Sequence, residues 1–249
     1  HIIGLIENLC AGNGNKADAS VEWVLNWLAC RFRWPERKPA TALVFISETQ
    51  GVGKSTFGER VVKGLFGDYL RQLDQNALES RFNAVLLFAL VTIFEEISPS
   101  DERMNIIGKL KNMITSDVIM VERKGRDAEK HSDYNSYIIF SNDERSIPIE
   151  SNDRRFMVSG CSRKFTDDMY ANLDAELKNG GIEEFAAFLC ALPLMYTNDQ
   201  GERVPFNPHS KPLMTPIKRR MINLNKPGWE AFLDDWYNGD IDVPFITCA

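Results

Sequence analysis

The sequence predicts an α/β layered fold with a mainly parallel central sheet. Two observations carry this. Short apolar runs rich in Val, Ile and Phe recur as TALVFIS (41–47), ALVTIF (89–94), SYIIFS (136–141) and FMVS (156–159). Their length and unbroken hydrophobicity suit strands buried on both faces. Between them lie segments with helical periodicity, and strands alternating with helices imply a parallel sheet.

The elements follow in order. Residues 1–35 read as helical, and SVEWVLNWLACRF starts at a plausible N-cap, Ser20, with Val21, Val24, Leu25 and Leu28 at helical spacing. Pro35 and Pro39 end that helix. TALVFIS is the first strand, and GKSTFGERVVKGLFG reads as a helix. ALVTIF is a strand ending in Glu95-Glu96. RMNIIGKLKNMI (103–114) places Met104, Ile107, Leu110 and Ile114 on one helix face. VIMVERKGRDAEKHSDYNSYIIFSN reads as two strands joined by a charged turn, and FMVS as a last short strand.

After about Ser162 the character changes. Two helical segments split by Gly180-Gly181 are followed by a Pro-rich link (Pro193, Pro205, Pro208, Pro212, Pro216) and a further helical stretch. The expected layout is a helical lead-in (1–38), an α/β core (39–162) and a helical C-terminal region (163–249).

Composition narrows the class. The chain has 249 residues, 44% hydrophobic and 26% charged, as a globular protein does. No apolar run is long enough to span a bilayer, so no membrane partner is expected. The N-terminus HIIGLIENLCAGNG lacks signal-peptide features and an initiator Met, so the chain is expected to be a piece of a longer protein. Cys10, Cys30, Cys161, Cys190 and Cys248 are scattered, with no C-x-x-C pair. That suits a reducing, cytoplasmic setting and argues against a disulfide framework or structural zinc. The net charge of −6 supplies no general attraction for nucleic acid, so any such contact needs a local basic patch.

The first chemical signal is SETQGVGKST (47–56). Strand, glycine turn, lysine, hydroxyl and helix stand in the order a phosphate-binding loop requires. Glycines let successive N–H groups curl inward as an anion nest, and the helix start adds its positive dipole end. The cradle runs over Gln50, Gly51, Val52, Gly53, Lys54, Ser55 and Thr56. Lys54 would reach the β- and γ-phosphates of a nucleoside triphosphate, and the Ser55 hydroxyl would ligate Mg²⁺. The opening glycine of the usual spacing is replaced by Glu48. Glu48 lies on the strand side, so the cradle can survive it; whether it lowers affinity stays open. The alternative is a plain glycine turn.

Hydrolysis needs acids at a neighbouring strand end. Glu95 suits Mg²⁺ binding through water, and Glu96 suits polarising the attacking water. Asn142, ending SYIIFSN, could orient that water at the carboxyl edge of the sheet. Arg154 and Arg155 stand at the mouth of the last strand, where an arginine could complete a neighbour's site. Each also has a bland reading: a surface acid pair, a turn asparagine, a solvated basic pair. VERKGRDAEKH would form a hairpin with Arg123, Lys124, Arg126 and Lys130 near its tip, interleaved with Glu122, Asp127 and Glu129. One copy would bind DNA phosphates weakly and without sequence preference.

Taken in order, ETQGVGKS, VTIFEE, the ERKG hairpin, IIFSN and DRRF resemble the motif series of superfamily 3 helicases, nearest to the primase–helicases of phages, prophages and large DNA viruses. The resemblance spans roughly residues 20–160. It implies an AAA+/ASCE phosphate-loop core, ATP and Mg²⁺ as cofactors, a hexameric ring, and 3′ to 5′ movement on single-stranded DNA. It also implies replication partners or a primase domain in the parent chain, working in a bacterial host or virus-infected cell. Residue by residue it matches Lys54 and Ser55 to the Walker A pair, Glu95 and Glu96 to the Walker B acids, Asn142 to the sensor, and Lys124 to the hairpin-tip lysine. Arg155 matches the arginine finger, with Arg154 as the alternative. Gly125 stands where some viral members carry histidine. Two other classes remain to be distinguished: another phosphate-loop remodelling ATPase or small-molecule kinase, and a catalytically weak DNA-binding module.

Overall fold

The computed structural model describes residues 1–80, 83–95, 97, 103–125, 127–161, 163–226 and 228–237. Its centre is a five-stranded sheet: β1 (Ala42–Ile46), β2 (Leu70–Leu73), β3 (Val91–Phe94), β6 (Ser136–Ser141) and β7 (Phe156–Gly160). The spatial order is β2-β3-β6-β1-β7, and every neighbouring pair is parallel. All residues of β1, β3, β6 and β7 are buried, as expected of a parallel sheet covered on both faces.

Alternation along the strands sorts their side chains into two cores. Leu43, Phe45, Ile93, Ile138, Phe140 and Met157 join one cluster. Val44, Ile46, Phe94, Tyr137, Ile139 and Val158 join the other. The first is covered by α1 (Ile2–Cys10), α2 (Ala17–Arg33), the helix after β1, α7 (Asp167–Lys178) and α8 (Gly181–Ala191). The second is covered by α5 (Gln75–Glu79), α6 (Arg103–Thr115) and α9 (Pro216–Leu224). Ile107, Leu110 and Ile114 form the buried stripe expected of α6; the side chain of Met104 lies outside the described residues. The helix after β1 starts as α3 (Lys54–Thr56), passes through π-type turns over Phe57–Val62, and finishes as α4 (Lys63–Phe66).

The lead-in helices are part of this body. Asn13 is fully buried; its amide donates to Ser159 Oγ at 3.2 Å and accepts from the Gly160 N–H at 3.1 Å. A Cβ on Gly12 would lie 2.7 Å from the Gly160 carbonyl oxygen, so only glycine permits this approach to β7.

Three expectations need correction. Ser20 is not an N-cap: α2 begins at Ala17, and the Ser20 hydroxyl donates back to the Lys16 carbonyl at 2.7 Å inside the helix. Burial beside Asn13 uses that hydroxyl and lets helical turns start earlier. The charged hairpin does not return through SYIIF. β4 (Val118–Val121) pairs antiparallel with the polar β5 (Glu129–Ser132), while Ser136–Ser141 enters the central sheet. The apolar run is worth more where both its faces are buried. Lys130 therefore sits within β5 opposite Met120 rather than at the tip. Finally, the Pro-rich link contains a small hairpin, β8 (Met195–Thr197) with β9 (Arg203–Pro205).

Candidate functional site

Parallel strands bring their carboxyl ends to one edge, and chain segments leaving neighbouring strands meet there. The loop after β1, Glu95 after β3, and Ser141-Asn142 closing β6 leave three adjacent strands. They surround a cavity of about 240 Å³ lined by Thr49 through Thr56, Glu95, Phe140, Ser141, Asn142 and Tyr170. Gln50, Gly51, Val52, Gly53, Lys54, Ser55 and Thr56 all face it. Glu48 does not; its side chain is exposed outside the lining.

The loop's shape depends on its glycines. Gly51 has φ 74° and Gly53 φ 97°, left-handed values that glycine tolerates best. Gly53 also stands at the N-cap of α3, and a Cβ there would meet Leu5 Cδ1 at 2.5 Å. Lys54 opens the helix, and its ammonium spans the strand ends. It donates to the Ser141 carbonyl at 2.7 Å, Asn142 Oδ1 at 2.6 Å and the Ser47 carbonyl at 3.3 Å.

Two supports lie beyond the motif. The Asn8 amide on α1 donates to the Val52 carbonyl at 2.9 Å and the Arg163 carbonyl at 3.0 Å. The Phe165 N–H donates to the Gly51 carbonyl at 2.9 Å. The phosphate-type loop is thus stapled to the lead-in helix and to the segment after β7. Tyr170 of α7 adds an aromatic wall, edge-on to Phe165 with ring centroids 4.8 Å apart. Asn8 and Tyr170 carried no sequence signal, because neither belongs to a spaced motif and only packing brings them to the loop. Cys161 sits behind the loop and donates to the Leu9 carbonyl at 3.3 Å; burial pushes its thiol well above the usual range, so it is no nucleophile.

The remaining expected residues lie elsewhere. Arg154 and Arg155 precede β7, and the Arg155 carbonyl accepts from the Ala42 N–H at 2.7 Å at the amino end of β1. That is the opposite edge of the sheet, a strand length of roughly 15 Å from the loop. Arg154 is exposed; Arg155 is half-buried, with its guanidinium 3.6 Å from the buried Asp153 carboxylate. Arg123 and Lys124 are exposed at the β4–β5 turn. Ile119 and Val121 seat this hairpin on Leu86 and Leu87. Glu96 and Arg126 lie outside the described residues.

Comparison with known proteins places these features in context. A family model described as "Family of unknown function (DUF5906)" matches residues 45–155. The DNA primase-polymerase of Nitratiruptor phage NrS-1 is 27% identical over 193 residues, covering 76% of this chain and 26% of that protein. The apo structure of the NrS-1 C-terminal region (305–718) superposes with TM-score 0.72 at 22% identity, over 97% of this chain and 59% of that one. A second, A-form apo structure of that region gives TM-score 0.71 at 23% identity, over 96% and 58%. The chain therefore spans about a quarter of the curated relative and under two thirds of the solved region, and it shares the latter's fold.

Proposed function

We propose that this chain is the ATP-driven motor segment of a phage-type DNA replication protein, of AAA+ superfamily 3 helicase type. One observation carries the reading: three adjacent strand ends bring the glycine loop, Glu95 and Asn142 around a single cavity with Lys54 at its centre. That is the arrangement phosphoryl transfer calls for, since its catalysis is positioning plus charge stabilisation. The similarity to a phage primase-polymerase supports the replication setting and a primase or polymerase module elsewhere in the parent protein.

In this reading the backbone N–H groups from Gln50 to Thr56 hold the phosphates, and Lys54 exchanges its carbonyl partners for phosphate oxygens. Among the described residues no group of three or more His, Cys, Asp or Glu forms a metal cage. Ser55 and Glu95 line the same cavity, which suits Mg²⁺, an ion usually bound through one or two protein ligands plus phosphates and water. Such an ion neutralises charge on the transferring group. Asn142 orients the lytic water and Glu96 polarises it. Arg155 or Arg154, on the far edge, can act only on a neighbouring subunit's cavity, so the reading requires a ring of copies, taken as a hexamer. Arg123, Lys124 and Arg126 then contact the backbone of single-stranded DNA in the central channel, which moves 3′ to 5′. The replication reading puts this work in the cytoplasm of a host or infected cell; among the described residues no helix is long and apolar enough to cross a membrane.

The test is Mg²⁺-dependent ATP hydrolysis with and without single-stranded DNA. Hydrolysis stimulated by DNA and abolished in Lys54→Ala is expected. A DNA-indifferent, monomeric ATPase would point to another phosphate-loop enzyme. No hydrolysis at all would leave a DNA-binding module.

A further inference from the structure

Phe88 bears two costs with no packing return. The residue is 80% exposed, and its φ is 60°, the left-handed value that bulky residues avoid. It is the only non-glycine residue with positive φ among the described residues. Leu87, at φ −61° and ψ 137°, precedes it, and the Ala89 N–H donates to the Leu86 carbonyl at 3.3 Å. This is a type II turn with Phe88 at the position that calls for Gly. The turn is held firmly. Arg71 Nε donates to the Val85 carbonyl at 3.0 Å. Asn83 bridges to the hairpin, donating to the Met120 carbonyl at 2.8 Å and accepting from the Glu122 N–H at 2.9 Å. Strain kept in place by such fixings points to a use for the ring.

Beside Phe88 is a cavity of about 260 Å³, also lined by Ile119, His131 and Tyr134. Tyr134 is itself 47% exposed, and His131 stands on β5 opposite Ile119. An aromatic-walled cleft of this size admits one flat heterocycle. It lies toward the base of the hairpin whose turn carries Arg123 and Lys124, roughly 13 Å along the hairpin from Ile119 to Arg123.

We propose that Phe88, Tyr134 and His131 form a stacking site for an unpaired base of single-stranded DNA whose phosphates lie along the hairpin. The inference rests on the DNA-binding reading above and extends it. Glu122, Asp127 and Glu129 offset three of the four cations Arg123, Lys124, Arg126 and Lys130, so the net charge of one hairpin is small and charge alone gives it little affinity. Stacking supplies what charge does not: every base has a π-face, so it adds affinity without sequence preference.

The experiment measures binding of the chain to fluorescent oligothymidylate and to an abasic strand of equal length. Phe88→Gly suits the turn's backbone and keeps the fold, which thermal melting verifies. It is expected to weaken oligothymidylate binding about 10-fold or more while leaving abasic binding unchanged. Phe88→Trp keeps the thymidylate affinity. Equal weakening on both strands, or none on either, rules out base stacking at Phe88 while the DNA reading stands. An unaltered chain that binds neither strand overturns the stacking site and the DNA reading together. A change in self-association alone makes the Phe88 surface a contact between copies and likewise rules the base site out.

Discussion

The Lys54 ammonium lies 2.6 Å from the amide oxygen of Asn142 and 2.7 Å from the Ser141 carbonyl, and so joins the loop after β1 to the end of β6. Both residues face the cavity, and in the proposed reading a bound phosphate displaces this contact. If the proposed ATPase reading holds, Lys54→Ala removes the cation that meets the phosphates, and ATP turnover is expected to fall by about 100-fold or more, with nucleotide affinity lost alongside. Asn142→Ala leaves the cradle intact. Turnover falls by about 100-fold, while ATP affinity changes by less than about 10-fold. Steady-state hydrolysis and equilibrium nucleotide titration separate the two. A parallel loss of affinity in Asn142→Ala would assign it to binding alone.

Glu48 stands where the usual motif has glycine, yet it is exposed and not among the residues lining the cavity. Glu48→Gly is therefore expected to shift the ATP dissociation constant by no more than about 2-fold, since an exposed charge outside the cavity is screened by water. Tighter binding by 10-fold or more would show that this carboxylate repels the triphosphate.

Lys38 and Asp133 form a buried ion pair of 2.6 Å, each side chain 4% exposed. The ammonium also donates to the Met113 carbonyl at 2.7 Å and the Ser116 carbonyl at 2.8 Å, tying the lead-in to α6 and to the link between β5 and β6. Asp133→Ala strands the ammonium without its counter-charge and costs about 3–5 kcal/mol in urea unfolding. Lys38→Met combined with Asp133→Leu costs less than Asp133→Ala alone, because no buried charge remains. A double variant worse than the single one would show that the pair's geometry, not its desolvation, dominates.

Lys218 is 2% exposed, and its ammonium donates to the Asp153 carbonyl at 3.0 Å. Burial pulls its pKa down from 10.5 to about 8, against the opposing pull of Asp153 and Asp199. Below about pH 8 both folded and unfolded chains hold the proton, and the fold bears the full cost of the buried charge. Between about pH 8 and 10.5 the folded chain releases it while the unfolded chain keeps it, so stability from this group rises with pH. Lys218→Met should raise stability at pH 7 by up to about 3 kcal/mol, a gain that closes as pH approaches 10.5. Paired thermal melts across that range check it; a variant less stable at pH 7 contradicts it.

The local signals were legible because each rests on short-range chemistry. The glycine loop is written in consecutive residues, Gly51-Val52-Gly53-Lys54-Ser55, and the strands of the sheet interior in runs whose every side chain is apolar or small. The N-terminal start of α2 and the return strand of the hairpin were misread for a shared reason. Ser20 and Glu129–Ser132 look like a cap and a loop until Asn13 and Val118–Val121 supply their partners. β2 shows no pattern in LRQL and exists because β3 offers it hydrogen bonds.

By itself the sequence determined that a glycine loop joins a buried strand to a helix, that acids and an asparagine follow later strands, and that a pair of arginines precedes the last one. Only the tertiary structure decided which of them meet. The order β2-β3-β6-β1-β7 makes three strand ends neighbours, so Glu95 and Asn142 join the loop after β1, while Arg154 and Arg155 fall on the opposite edge. It also brought Asn8 onto the loop and turned the Phe88 ring to solvent. Parallel pairing joins residues far apart in the chain, and its choice of neighbours rests on burying both sheet faces at once, a condition no local window of sequence contains.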